Sequence, residues 1–337
     1  MPKPQTKHPH LRPLNPGRDL AAVADLIDLC FDFHMDEEGR EYVRQIRRAA
    51  NVQKSIFGMG QNIGSGGVPM QGFVWEEDGK LVGNLTIIPF LRAGKWHFLI
   101  ANVATNPLFR RRGIAREMTR CALQYIHEHN GVTTWLQVRD DNPAASQLYE
   151  SLGFVEIARR TTYRTSVKPA AIPAPSSSVY LTSRRNSDWP SQAAWLKETY
   201  PPEIAWHIPL NIHKLEPGFW RSLMRLLGDE TVLHWCARRK ERLLGTASLE
   251  TGSGSTDTLW LAFPTIPEED ALFSLLTRVR SEAIAPRAII VNFPCGVAEK
   301  CFRLAGFEKH MTLVWMNNPM NQGQSFLISE NHITVKA

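Results

Sequence analysis

Arg110-Arg111-Arg112-Gly113-Ile114-Ala115 stands between an apolar run, His97 to Thr105, and a stretch of helical periodicity carrying Ile114, Met118, Ala122, Leu123 and Ile126. The run before it has the character of a strand, Pro107 marks a turn, and the three- and four-residue apolar spacing after it predicts an amphipathic helix. A strand, a basic turn with glycine and a helix start together make an anion site. The first N–H groups of a helix have no internal acceptor, and the helix dipole favours negative charge there. Gly113 and Ala115 keep the turn free of bulk, and glycine permits close backbone approach. The stretch predicts a cradle for a pyrophosphate.

A second segment follows another strand-like run, Thr133 to Val138: Asn142-Pro143-Ala144-Ala145-Ser146-Gln147-Leu148-Tyr149-Glu150-Ser151-Leu152-Gly153-Phe154. The first motif resembles the Arg/Gln-x-x-Gly-x-Gly/Ala signature of the GNAT superfamily of N-acetyltransferases, with Arg110, Gly113 and Ala115 in the signature positions. The second resembles that family's Asn-x-x-Ala-x-x-Leu-Tyr-x-x-x-Gly-Phe helix. A short glycine motif alone is weak; two in order and in context are specific. Around them the expected order is strand, two helices (Leu20 to Phe31 and Tyr42 to Ala50), three strands, helix, strand, helix, strand. Asp78-Gly79 predicts a hairpin turn, and Gly58 to Gly72 a glycine-rich loop. The resemblance implies an α/β (α+β) GNAT fold over residues 8–166, a mixed, mostly antiparallel sheet flanked by helices.

Composition bounds the rest. The chain has 337 residues, enough for two domains. With 43% hydrophobic and 21% charged residues it builds cores. No apolar run reaches the roughly 18 residues that span a bilayer, and Met1 to Gln5 shows no apolar signal region, so a cytoplasmic protein is expected. Five cysteines without Cys-x-x-Cys spacing speak for free thiols, against a disulfide framework and against a metal site. A formal charge of +6 suits an anionic ligand; nucleic acid is disfavoured, because no basic stripe interleaved with aromatics is present. Val167 to Ser178, dense in Pro, Ala and Ser, reads as a linker; it falls in 167–179.

The second half repeats the plan: strands at Thr231–Arg238, Leu243–Glu250 and Leu259–Phe263, a helix at Asp270–Ile284, a strand at Ala288–Phe293, then Ala298 to Phe307. Gly306-Phe307 repeats Gly153-Phe154 at an offset of 153, which predicts a tandem array: a degenerate GNAT-like copy over 180–318 and a tail over 319–337. Pro264 to Asp270 offers three acids and no glycine where the first copy has its cradle, Phe302 stands for Tyr149 and Cys295 for Asn142. This copy is expected to have lost acyl-CoA binding and to play a structural role.

The resemblance implies acetyl-CoA as cosubstrate and no metal. Backbone groups of Val103, Ala104 and Thr105 would hold the pantetheine arm, and the turn Arg110, Arg111, Arg112, Gly113, Ile114, Ala115 and Arg116 the pyrophosphate. Asn142 would contact the pantetheine amide, and Tyr149 would hydrogen-bond or protonate the leaving thiol. The general base stays open. Leu99 and Ala101 stand where some members carry a glutamate; His97, Glu76, Glu77 or a water chain are the alternatives. Asp32, Asp36, Glu37 and Glu38 suit a cationic amine or a solvated turn, and Trp189, Trp195, Trp206 and Trp220 a pocket or a core. The expectation is an N-acetyltransferase acting on a small-molecule amine, as monomer or homodimer, without nucleic acid or membrane. The alternative is a non-catalytic acyl-CoA-binding or regulatory module.

Overall fold

The computed structural model describes residues 8–31, 37–56, 71–165, 178–208, 210–218, 231–251, 256–282 and 287–319. Asp32, Asp36, Trp220, most of the glycine-rich loop, most of the linker and nearly all of the tail lie outside them. Two compact units emerge. The first comprises Met1–Gln137, Ala144–Val155 and Met316–Ala337, and the second Val138–Pro143 and Glu156–Trp315.

The first unit begins with β1 (Leu11–Pro13), α1 (Pro16–Phe31) and α2 (Glu37–Ile56), followed by β2 (Gly72–Glu77), β3 (Lys80–Arg92) and β4 (Lys95–Thr105). Then come α3 (Ile114–Glu128), β5 (Thr133–Arg139) and α4 (Pro143–Glu150). This is the order expected from the sequence. Its strands lie in the order β1-β2-β3-β4-β5. All pairs are antiparallel except β4–β5. The β2–β3 hairpin turns at Asp78 and Gly79, with φ of 49° and 74°. Left-handed values at both positions match the strand twist.

Helix α1 buries Leu20, Val23, Ala24 and Ile27 at helical spacing against Val43, Ile46 and Ala50 of α2 and Val74 of β2. Each such aliphatic side chain contributes roughly 1.5–3 kcal/mol when fully buried. On the other face α3 buries Ile114, Met118, Ala122, Leu123 and Ile126. A Cβ on Gly83 would stand 2.9 Å from both Ile114 and Trp75, so that glycine lets the start of α3 settle onto the sheet. Gly83 pairs with Thr105, the last residue of β4. The helix start is thereby fixed beside the strand end.

The second unit contains β6 (Val155–Thr165), β7 (Tyr180–Ser183), α5 (Trp189–Thr199), α6 (Pro202–Ala205) and α7 (Ile212–Leu215). Beyond these lie β8 (Thr231–Arg239), β9 (Arg242–Thr251), β10 (Thr256–Ala262), α8 (Glu269–Glu282), β11 (Ala288–Pro294), α9 (Glu299–Leu304) and β12 (Phe307–Pro319), whose last residues from Met316 belong to the first unit. Its strand order is β12-β6-β11-β10-β9-β8-β7, with β10–β11 parallel and β6–β11 antiparallel. Strand β6, within the stretch 8–166 that the sequence assigns to one domain, thus packs in the second unit, because its ladder partner from Arg160 to Arg164 is β11. Leu272, Leu275, Leu276 and Val279 of α8 close the core with Phe263, Phe293, Phe302 and Phe307. The tryptophans Trp189, Trp195 and Trp206 pack around Leu196, Tyr200, Ile204, Trp260 and Trp315, a core role.

Candidate functional site

Strand β4 carries the site because its geometry changes midway. It pairs with β5 from His97↔Thr133 to Ile100↔Leu136, and there the pairing ends. Two steps on, Asn102 has φ of 52°, and the β3 register slips between Asn84↔Ala104 and Thr86↔Ala101. Two residues of β4, Asn102 and Val103, therefore face one of β3, which is a β-bulge. Asparagine tolerates the left-handed conformation better than most residues. The bulge turns the last residues of β4 off the β5 ladder, and Val103 to Thr105 are left with partners on one edge only.

The bulge is held from both sides. Asn84 Nδ2 donates to the Asn102 carbonyl at 3.0 Å, and Asn102 Nδ2 donates to the Tyr42 hydroxyl at 2.7 Å and to Thr86 Oγ1 at 3.4 Å. Thr105 Oγ1 is buried without a hydrogen-bond partner among the described residues, and its carbonyl accepts from Cys30 Sγ at 3.4 Å and Arg110 Nε at 3.3 Å. Burial raises the Cys30 thiol pKa despite the nearby Arg110 cation, so the group is a thiol at neutral pH.

After β4, Asn106 caps a short 3-10 turn over Pro107–Phe109. Arg111 and Gly113 follow with φ of 63° and 78°. A Cβ on Gly113 would meet nothing within 4 Å, so glycine is required by the left-handed backbone and not by crowding. Gly113 is the N-cap of α3 without a side-chain cap. Helix pairing begins with the Glu117 N–H on the Gly113 carbonyl at 3.0 Å, and the preceding helical N–H groups have no acceptor within the helix. Arg110, Arg111, Arg112, Gly113 and Arg116 are exposed here, Ala115 is half-buried and Ile114 is buried beneath. Arg112 sits over the Phe109 ring at 4.8 Å and 3.7 Å from Glu77. Arg111 and Arg116 make no ion pair among the described residues. The turn is thus an open, cationic helix start.

Tyr149, on α4, is 6% exposed and meets Phe154 edge-on at 5.8 Å. Its carbonyl accepts from Leu152 and Phe154, at 2.9 and 3.1 Å, closing the helix. Its hydroxyl has no hydrogen bond among the described residues, and burial raises its pKa above the usual phenol value. Asn142 is exposed, lies in the second unit, and donates its N–H to the Arg139 carbonyl at 3.1 Å.

The candidate bases fare differently. His97 stacks on Phe90 at 5.5 Å with Nδ1 buried and unpartnered, and burial, aided by Arg92 and Lys95, lowers its pKa. At about 3.3 Å per residue it stands roughly 20 Å along β4 from Val103, at the paired end. Glu76 is engaged by Arg12 at 2.8 Å and Arg18 at 2.6 Å, and the Arg12 hydrogen bond lowers its pKa. Glu77 accepts from Trp75 Nε1 at 3.0 Å. Glu76 ties β2 to β1 and α1, and Glu77 bridges Trp75 and Arg112. Tyr42, Thr86 and Gln137 were not singled out by sequence motif. Asn102 interrupting an apolar strand was the one available signal, as a polar residue suited to a bulge. Among the described residues no group of His, Cys, Asp and Glu could hold a metal ion, and no helix is long and apolar enough to cross a membrane.

Comparison with known proteins agrees with this geometry. Residues 30–154 match the Acetyltransferase (GNAT) family. The [ribosomal protein bS18]-alanine N-acetyltransferase of Salmonella typhimurium is 44% identical over 62 residues, 18% of this chain and 42% of that protein. The N-alpha-acetyltransferase RimI of Mycobacterium tuberculosis is 33% identical over 114 residues, 34% of this chain and 64% of that protein. The chain therefore spans less than two thirds of either relative. Among solved structures, a GCN5-related N-acetyltransferase from Sphaerobacter thermophilus superposes with a TM-score of 0.52 at 15% identity, over 92% of this chain and 96% of that one. The chain has the GNAT fold, and its segment 30–154 is similar to the GNAT acetyltransferases.

Proposed function

We propose that the chain is an acetyl-CoA-dependent N-acetyltransferase, with one cofactor cradle at the β4 end and the start of α3. The observation that carries it is the coincidence of the β4 bulge with an uncapped helix start one turn away. A pantetheine arm needs strand-like donors and acceptors, and a pyrophosphate needs helix N–H groups. Val103, Ala104 and Thr105 would supply the former, with Thr105 Oγ1 a buried group that lacks a partner. Arg111 to Arg116 would supply the latter. In the reaction a neutral primary amine attacks the thioester carbonyl, a β4 N–H stabilises the oxyanion, the nitrogen releases its proton to water as the C–S bond breaks, and Tyr149 protonates the departing thiolate and regains its own proton from solvent. Because Tyr149 stays protonated at neutral pH, it suits the acid role.

The acceptor is a primary amine, on a small molecule or on a protein terminus; the named substrate of the Salmonella relative favours the second source. We also propose that residues 180–318 form a GNAT-like copy without a cradle, so that each chain takes up one acetyl-CoA. A non-catalytic acyl-CoA-binding module is the second reading. It is favoured by His97 lying far along β4 and by Glu76 being locked in ion pairs. Calorimetric titration of acetyl-CoA into wild type and Gly113→Glu, followed by an amine panel, tests both. One site per chain, lost in the variant, with turnover of an amine supports the enzyme. Binding without turnover supports the module, two sites refute the single cradle, and no binding refutes both readings.

A further inference from the structure

Two hydrogen-bond donors beside the bulge have no acceptor among the described residues. The Tyr42 hydroxyl accepts from Asn102 Nδ2 at 2.7 Å, and its own proton has no acceptor among the described residues. Gln137, the first β5 residue beyond the last β4–β5 pair, has its side-chain Nε2 buried and without a partner among the described residues. Strand parity places them on one side of the sheet. The pairings Leu99↔Trp135 and Ala101↔Thr86 put Trp135 and Thr86 on the same face, and the period of two adds Gln137. Asn102 reaches both Thr86 and Tyr42, so α2 covers that same face. Leaving a buried amide donor unpaired costs about 1–3 kcal/mol. A group that completes it from outside recovers that cost.

We propose that Tyr42 and Gln137 are positioning residues for the acceptor, donating to an oxygen next to its amine, so that the site selects amines bearing an adjacent carbonyl or carboxylate. The inference rests on the acetyl-transfer reading above and deepens it. Desolvation holds the Tyr42 hydroxyl protonated by raising its pKa, as a donor must be. The Asn102 amide fixes its oxygen, and the left-handed Asn102 backbone ties this contact to the bulge that would present the acetyl group. A bound oxygen at Tyr42 would thereby set the amine against the β4 edge, whereas an amine without that oxygen has no such anchor.

The test uses the full chain as wild type, Tyr42→Phe and Gln137→Leu, with L-alaninamide and isopropylamine as acceptors, which differ at the carbonyl-bearing carbon. The readout is the ratio of their kcat/KM values, so the different basicities of the amines cancel between variants. One neutral hydrogen bond corresponds to about a tenfold change. Each variant is expected to lower the alaninamide preference about tenfold, with the calorimetric Kd for acetyl-CoA within about twofold of wild type. Gln137→Leu removes an unpartnered buried amide, so its Tm should not fall. An unchanged ratio overturns the proposal. So does an equal loss for both amines with a lowered Tm, which marks a structural role, and so does a wild type that binds acetyl-CoA yet acetylates neither probe. A wild type that fails to bind acetyl-CoA removes the underlying reading itself.

Discussion

Tyr149→Phe separates chemistry from packing at this site. The side chain is 6% exposed, and its ring packs on Phe154, a contact that phenylalanine keeps. The hydroxyl makes no hydrogen bond among the described residues, so its removal costs no internal partner, and the unfolding free energy in urea should change by less than about 0.5 kcal/mol. Turnover should behave otherwise. A positioned proton donor contributes about 10²–10⁴-fold, so kcat should fall at least about 100-fold, or roughly 2.7 kcal/mol of barrier, while the Kd for acetyl-CoA stays within about twofold. Stopped-flow detection of free thiol, calorimetry and urea titration on the same preparations give the three numbers. The pH profile adds a further constraint. Burial raises the Tyr149 pKa, so the proton is retained well into the alkaline range. The wild-type rate should climb as the amine deprotonates and should not decline up to about pH 10. An unchanged kcat, or an alkaline decline that vanishes in the variant, would refute the assignment.

Two further outcomes concern the second unit. Asp188 and Arg238 form a buried pair at 2.5 Å; burial is the largest single influence and would raise the Asp188 pKa, but the hydrogen bonds from Arg238, the Arg185 N–H and Cys236, together with the Arg238 charge, outweigh it and lower the pKa. A depressed carboxylate stabilises the fold above its unfolded pKa of about 3.9, so that contribution should disappear as pH falls from about 5 through the folded value. Asp188→Asn, which leaves Arg238 buried without its anion, should cost about 3–5 kcal/mol in urea titration at pH 7 and flatten this acid dependence. Gly245→Ala would place a Cβ 2.2 Å from the Phe263 ring. Overpacking of that kind costs typically 1–3 kcal/mol, and a Tm equal to wild type would show that the ring yields freely.

The elements that sequence reads well are those with strong local signals. Asp78-Gly79 was legible because two left-handed residues are what a tight hairpin needs, and α3 because its apolar spacing is unbroken. Gly113 was legible as a glycine position: its left-handed φ demands glycine, and the open space around it leaves room for the close approach that the sequence suggests. His97 shows a limit of sequence: it lies on the strand that carries the bulge, and only the pairing register shows that it sits at the far, paired end of that strand. Tyr42 and Gln137 belong to no motif. Their meaning depends on a bulge at Asn102 and on where the β4–β5 ladder stops, and neither is encoded within a few residues of either side chain. Likewise, nothing local to β6 states that β11 will be its neighbour.

The first unit is not closed by contiguous sequence. Asn318 Nδ2 donates to the Leu152 carbonyl at 2.9 Å, across 166 residues of chain, just past the helix that carries Tyr149. At about 5–20 residues per second of synthesis, the first unit waits roughly 8–33 s between the emergence of Leu152 and that of its partner. Throughout that interval the segment bearing Tyr149 exists without its final clasp. A nascent chain arrested before Asn318 should therefore be cleaved by protease near Leu152 faster than the released protein, and the ribosome's progress, rather than any ligand, would decide when this part of the molecule matures.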